Sequence, residues 1–369
     1  MKKLLVLLLL LIPAQAFAAA PDSLSIKIGQ MLMIGFRGLD ASGEPRLRDD
    51  LQQRHVGGVV LFDYDVPSSS KVRNIDSPAQ VARLTAELQA MAPIPLFIAV
   101  DQEGGRICRL KASRGFPSSV SAAHLGRLDN PDSTRAAAKA TAALLSGLKI
   151  NMDLAPDVDV NTNPDNPVIG KLERSFSKHP DVVARNAALF VEEFRAAGII
   201  PVLKHFPGHG SSTTDTHKAF TDITRTWSKK ELEPYRRLIR DGYEDPVMTA
   251  HVFNARLDGM YPATLSKEVV GGLLRRDLGF RGVVMSDDMQ MQAIAGQYGL
   301  ETAIRLAIDA GVDILIFGNN VSAYDPGIAE KATTIIRKLV DDGLVSRERI
   351  DDSYRRIISL KLRTIIPRK

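Results

Sequence analysis

The chain has 369 residues, of which 44% are hydrophobic and 25% charged, with 7 histidines and one cysteine. Its formal charge of +5 includes Lys2 and Lys3, and without them about +3 remains, too mild a surplus to drive binding to nucleic acid. The lone Cys108 excludes an internal disulfide and is expected to pack as a small buried residue.

Met1-Lys2-Lys3 is basic, Leu4 to Ile12 is an unbroken apolar run, and Ala16-Phe17-Ala18 offers small residues at cleavage spacing. Residues 1–19 therefore read as a secretory signal peptide, too short for a membrane span. No cysteine follows to carry a lipid, and no later segment is apolar for long enough to insert stably in a bilayer. Residues 20–369 are expected as an exported monomer, periplasmic or secreted.

Eight short apolar runs follow, with helical patterns between them. They are Gln30–Phe36, Gly57–Phe62, Pro95–Asp101, Ile150–Leu154, Ile200–His205, Pro246–Val252, Gly282–Asp287 and Asp313–Phe317. Near-continuous apolar runs mark strands buried on both faces. Val81, Leu84, Leu88 and Met91 keep helical spacing, as do Ile350, Tyr354, Ile357 and Ile358. Pro180 opens a further helix and Gly198 closes it. Eight strands alternating with helices predict an α/β fold, a single (β/α)8 TIM barrel over residues 20–369. A doubly wound sheet is the alternative, but no Gly-x-Gly-x-x-Gly loop follows the first strand. The Asn161–Pro167 stretch reads as a loop over the barrel mouth, not as a linker between domains.

Ionisable groups collect where these runs end. Asp101, Asp153, Lys204-His205, His251 and Asp287-Asp288 all fall at the edge where such barrels build their sites. The densest stretch is Lys204-His-Phe-Pro-Gly-His-Gly-Ser-Ser-Thr-Thr-Asp-Thr-His217, with three histidines in fourteen residues. Asp287, at the end of a rigid strand, suits a nucleophile aimed at a sugar anomeric carbon. Asp288 is expected to cap a helix starting at Met289. Asp215 and His217 are spaced for a carboxylate to orient an imidazole that works as acid and base. In Asp101-Gln-Glu-Gly-Gly-Arg-Ile-Cys-Arg109, two glycines allow a sharp turn, Asp101 can accept hydroxyl hydrogen bonds, and Arg109 offers a planar fork of donors. Glu103 is the rival to Asp287 as the reacting carboxylate.

With these residues in view, the chain resembles the family 3 glycoside hydrolases from about Ile28 to Leu362, and most of all the single-domain bacterial β-N-acetylglucosaminidases acting on peptidoglycan fragments. Lys204 to Gly210 looks like the family's central signature, Asp215-x-His217 like its acid/base pair, and Ser286-Asp287-Asp288-Met289 like its nucleophile strand. The resemblance implies a retaining exo-hydrolase without metal or other cofactor. Asp287 attacks, His217 with Asp215 serves as acid and then base, and Asp101, Arg109, Arg174, Lys204 and His205 hold the terminal sugar. The expected partner is a carbohydrate, an N-acetylglucosamine-containing glycan or muropeptide. The larger members carry a second α/β domain, so here the site is expected to be completed by the barrel's own loops. Ser211-Ser212, Thr214, Ala219-Phe220 and Ser177 depart from the usual residues around the acid/base loop. Other readings stay open: another family 3 type β-glycosidase, a phosphorylase, hydrolysis assisted by the substrate's own acetamido group, and a catalytically idle wall-binding protein. A metal-dependent hydrolase using His205, His209, His217, His251 and Asp287 also stays open, although Phe36-Arg37 lacks the His-x-His that plan usually wants after an early strand.

Overall fold

The computed structural model describes residues 23–365; the signal-peptide reading of residues 1–19 lies outside the described residues. All eight runs contain a strand. These are β1 Leu32–Gly35, β2 Gly58–Leu61, β3 Phe97–Val100, β4 Met152–Asp153, β5 in two pieces (Ile200–Pro201 and Leu203–Phe206), β6 Val247–Thr249, β7 Val284–Asp288 and β8 Ile314–Phe317. Every pairing among them is parallel. The sheet runs β4-β3-β2-β1-β8-β7-β6, with the first piece of β5 on β4 and the second on β6. One strand thus joins both ends of the sheet, and the barrel closes without an exposed edge. Hydrogen bonds from Val202 N to Ala155 O (2.8 Å) and from Val158 N to Lys204 O (2.8 Å) strengthen the seam.

The strands are apolar throughout because side chains fill the barrel on one face and helices cover the other. Met33, Val59, Ile98, Met152, Leu203, Met285 and Leu315 are all fully buried. The helices begin where their sequences dictate. Ser77 accepts from Gln80 N ahead of the helix Pro78–Met91, and Asn130 accepts from Ser133 N ahead of Pro131–Gly147. A polar cap followed by proline satisfies one orphan N–H and omits another. Val81, Leu84 and Leu88 face the core. The helix Pro180–Ala196 starts at the expected proline, and Gly198 follows its end with φ 75°.

Three readings shift. Gln30 belongs to a helix, Ser23–Gln30, and not to β1. Its amide sits at the barrel floor, donating to His55 O (2.6 Å) and accepting from the buried Lys361 (2.7 Å). Strand six stops at Thr249, and Val252-Phe253 instead pair in parallel with Thr221-Asp222. A small hairpin of Gln102–Gly104 and Ile107–Cys108 stands beyond β3. Its turn is Gly104-Gly105, with φ of 93° and 58°, a conformation that side-chain-bearing residues rarely adopt. Elements of two or three residues are too short to leave a periodic signal. Cys108 is buried in this hairpin between Gln102 Nε2 (3.1 Å) and Leu110 O (3.2 Å).

Candidate active site

The loop after β5 is held from below by one aspartate. Asp159 is fully buried, and its Oδ1 accepts from His209 N (2.7 Å) and His205 N (3.3 Å) while Oδ2 pairs with His205 Nδ1 (2.7 Å). His205 Nε2 then accepts from Arg174 Nη2 (3.2 Å). His209 is a fastening, not a reactant. Its Nδ1 meets Ser212 Oγ (2.6 Å) and its Nε2 meets Thr216 Oγ1 (3.3 Å), and burial pushes its pKa down to about 4. Asn166 stitches the Asn161–Pro167 loop to the same turn, donating to His209 O (2.8 Å), Gly210 O (3.2 Å) and Ser212 Oγ (3.0 Å). Gly210 lies so close to this loop that a Cβ there would fall 1.8 Å from Val160 O. Ser212, one of the departures from the family pattern, is therefore part of the fastening.

Lys204, at 2% exposure, places Nζ between Asp101 Oδ1 (2.8 Å) and Glu103 Oε1 (2.6 Å). Arg174 forks onto Glu103 through Nε and Nη2, both at 2.8 Å. Arg109 approaches Asp101 at 3.4 Å and Asp63 at 3.9 Å. Burial alone would raise both carboxyl pKa values. Lys204 and Arg109 overcome it at Asp101, and Arg174 and Lys204 at Glu103, so both stay ionised. Glu103 is thus enclosed by two cations, which leaves Asp287 as the less encumbered carboxylate. Removing one partner from such a buried network exposes the others' desolvation cost. The Glu103→Gln variant is expected to lose about 3 kcal/mol of unfolding free energy in urea titration. An unchanged midpoint would mean that the grip does not depend on this ion pair.

On β7, Asp287 accepts from Asp288 N (2.8 Å). Burial opposes its ionisation, but His251, His205 and His217 together with that N–H hold its pKa below the ordinary carboxylate value. Asp288 goes the other way: burial pushes it up to about 6 despite hydrogen bonds from Gln290 N and Gly318 N. Those two bonds correct the expected cap. The helix begins at Gln292, not Met289, because Asp288 closes a turn and tethers the loop after β8 (3.0 and 3.1 Å). His251 Nε2 donates to Asp288 O (2.9 Å) and so steadies the same backbone.

Asp215 Oδ1 accepts from both His217 N and His217 Nδ1, each at 2.9 Å. The two-residue spacing therefore forms the pair the sequence suggested. The His217 side chain is 57% exposed. Its partial desolvation opposes charge, but Asp215's hydrogen bond and the nearby Asp287 carboxylate raise its pKa above the ordinary imidazole value.

Asp287, His217, Asp215, Asp101, Arg109, Arg174, Lys204 and His205 all line one cavity of about 370 Å³. Two strand-end groups do not reach it. Asp153 is fully buried, accepting from Gln102 N (2.9 Å) with its pKa raised to about 8, and His251 is buried behind β7. Asp63 lines the cavity and was missed, as were the supporting residues Asp157, Asp159 and Asn166. Asp63 falls just past β2, so the strand-end rule could have found it. Asp159 has no such signal, because its value lies in where the loop after β5 crosses it. Among the described residues, Asp157, Asp159 and His205 come closest to a metal-ligand set. Both ring nitrogens of His205 are engaged, by Asp159 and Arg174, so the set does not fit a metal ion without breaking those bonds. His209 and His251, also weighed as ligands, are held by their own hydrogen bonds.

An ionised carboxylate and an imidazole–carboxylate pair thus share one polar cavity at the mouth of a closed barrel, an arrangement suited to cleaving a glycosidic bond. Comparison with known families goes one step further. The chain belongs to glycosyl hydrolase family 3, whose N-terminal domain model matches residues 23–360. Beta-hexosaminidase A of Pseudoalteromonas piscicida is 30% identical over 378 residues, covering 93% of this chain and 62% of that protein. Beta-hexosaminidase of Nitrosomonas eutropha is 34% identical over 310 residues, covering 80% of this chain and 83% of the relative. Among solved structures, the family 3 β-N-acetylglucosaminidase of Paenibacillus sp. FPU-7 aligns with a TM-score of 0.84 at 37% identity, over 93% of this chain and 63% of that one. The β-N-acetylhexosaminidase of Beutenbergia cavernae aligns at 0.80 and 31%, over 93% and 99%. The chain thus spans less than two thirds of the Pseudoalteromonas and Paenibacillus proteins and nearly all of the Beutenbergia one.

Proposed function

We propose that this chain is an exo-acting, retaining β-N-acetylglucosaminidase that removes terminal β-linked N-acetylglucosamine. The observation that carries the reading is the shared cavity, in which an ionised Asp287 and a His217 tuned by Asp215 flank space floored by Asp101, Lys204, Arg109 and Arg174. Asp287 attacks the anomeric carbon while His217, protonated, gives its proton to the leaving oxygen. A glycosyl-enzyme forms. His217, now neutral, takes a proton from water, which attacks the same carbon and frees Asp287. Lys204 and Arg109 hold Asp101 ionised to accept hydroxyl hydrogen bonds, and Arg174, bonded to Glu103 and His205, fixes the wall beside it. The names of the relatives support the sugar. The substrate in the cell is proposed as peptidoglycan fragments, met after export to the periplasm or the medium, in keeping with the basic-then-apolar start of the sequence.

Product analysis on a set of 4-nitrophenyl β-glycosides tests this directly. Release of N-acetylglucosamine, with the β-product formed first by NMR, is expected. Preference for glucoside would redirect the reading to another β-glycosidase, and faster turnover with added phosphate to a phosphorylase.

A further inference from the structure

The cavity has an apolar rim that the sugar-gripping floor does not explain. Past β2 the side chains alternate: Asp63 and Asp65 are buried, whereas Tyr64 and Val66 are 39% and 48% exposed. Both exposed side chains line the cavity. The segment is fixed from behind. Asp65 accepts from Arg37 Nε (3.1 Å) and Nη2 (2.7 Å), and also from Arg73 and Ser68. Asn320, on the loop after β8, donates to Tyr64 O (3.0 Å) and accepts from Val66 N (2.9 Å). Arg73 is completely buried and ties the knot to Phe36 O (3.0 Å) and Asn319 O (3.0 Å). Loops following β1, β2 and β8 are therefore locked together without using the side chains of Tyr64 and Val66. An aromatic side chain carried on a fixed backbone at the mouth of a polar cavity leaves little chain entropy to lose on taking a ligand.

What such a ring can take follows from where it stands. The floor, made of Asp101, Lys204, Glu103 and Arg174, offers charged hydrogen-bonding groups to one polar ring. Whatever is attached through the scissile oxygen has to leave by the mouth. A pyranose presents a face of C–H groups there, which packs on the flat of an aromatic side chain. The other exposed aromatic contact near the acid/base loop, Phe220 on Phe253 with centroids 5.3 Å apart, does not line the cavity. We infer that Tyr64, flanked by Val66, is the platform for the leaving group and takes the C–H face of the second pyranose ring of a β-linked glycan. The inference rests on the proposed function and adds a specificity-determining residue to it.

The test compares two substrates carrying the same terminal sugar: N,N′-diacetylchitobiose, which has a second ring, and the β-fluoride of N-acetylglucosamine, which has none. Tyr64→Ala is expected to lose about ten-fold more kcat/KM on the disaccharide than on the fluoride, chiefly through KM, as for loss of one aromatic packing contact. Tyr64→Trp is expected to restore the disaccharide. Equal losses on the two substrates would overturn the platform, since a merely structural role moves both alike. So would wild-type protein that cleaves the fluoride and not the disaccharide, which would leave the glycosidase reading standing. Wild-type protein inert toward both would remove that reading and the platform with it.

Discussion

The Asp287→Asn variant is expected to retain its fold and lose on the order of 10⁵-fold in kcat/KM toward 4-nitrophenyl N-acetyl-β-glucosaminide, the scale of deleting a nucleophile from a site that acts as a unit. The fold should hold because an asparagine oxygen can still accept from Asp288 N, the hydrogen bond that Asp287 makes on its own strand. Activity should not hold, because an amide cannot form the glycosyl ester. Position 287 is suited to the role by electrostatics as well as by place. Three imidazoles and a backbone N–H keep its carboxyl ionised against the pull of burial, whereas its neighbour Asp288 is pushed up to about 6. A slow fluorinated substrate should leave a mass adduct on Asp287 in the wild type and none in the variant. If no adduct forms in the wild type, and a thiazoline mimic binds tightly instead, the acetamido group of the substrate is the nucleophile and the assignment to Asp287 fails.

The second large effect concerns His217. Its replacement by alanine is expected to cost about 10² to 10⁴-fold on substrates with poor leaving groups, the usual worth of a positioned acid. Much less should be lost on the β-fluoride, which departs without a proton. The pH profile gives the sign. As the proposed acid, His217 has to be protonated for bond cleavage, so kcat/KM is expected to fall as pH rises through its pKa. Desolvation depresses that pKa, but the Asp215 hydrogen bond and the Asp287 charge more than compensate, so the alkaline limb lies above the ordinary imidazole value of 6.5. Asp215→Asn removes the largest raising influence, and the alkaline limb is expected to move to lower pH. A limb that stays in place in Asp215→Asn would show that some other group donates the proton.

Much of the site could be located before any coordinates because barrel strands end in a plane. A polar residue at the end of a buried apolar run has one natural destination, and Asp101, Lys204, His205 and Asp287 arrive there. The rule overreached at Asp153, which ends β4, and at His251, which lies two residues past β6, since both are buried in the supporting structure. Whether a strand-end side chain points into the mouth or behind it depends on local register and on what the next loop brings over it. Arg174 is a different case. The family resemblance marked it as a clamp, but not that its guanidinium would be shared between Glu103 and His205. That sharing changes the meaning of Glu103, from a candidate reactant to the group that keeps two cations in position.

By itself the sequence determined the elements and their alternation, since burial on both faces leaves no choice but apolar strands, and prolines with polar caps leave little choice in where helices start. It also supplied the two-residue spacing of Asp215 and His217, although the hydrogen bond between them comes from the conformation of the folded loop. Only the tertiary structure decided the closure of the barrel through the two halves of β5, the service of Asp159 beneath the loop that follows it, and the locking of the Tyr64 backbone by Asn320 from the loop after β8. Each of these joins residues far apart in the chain. Such contacts are selected by the packing of the whole barrel, and a hydrogen bond across that distance leaves no periodic mark in the residues on either side of it.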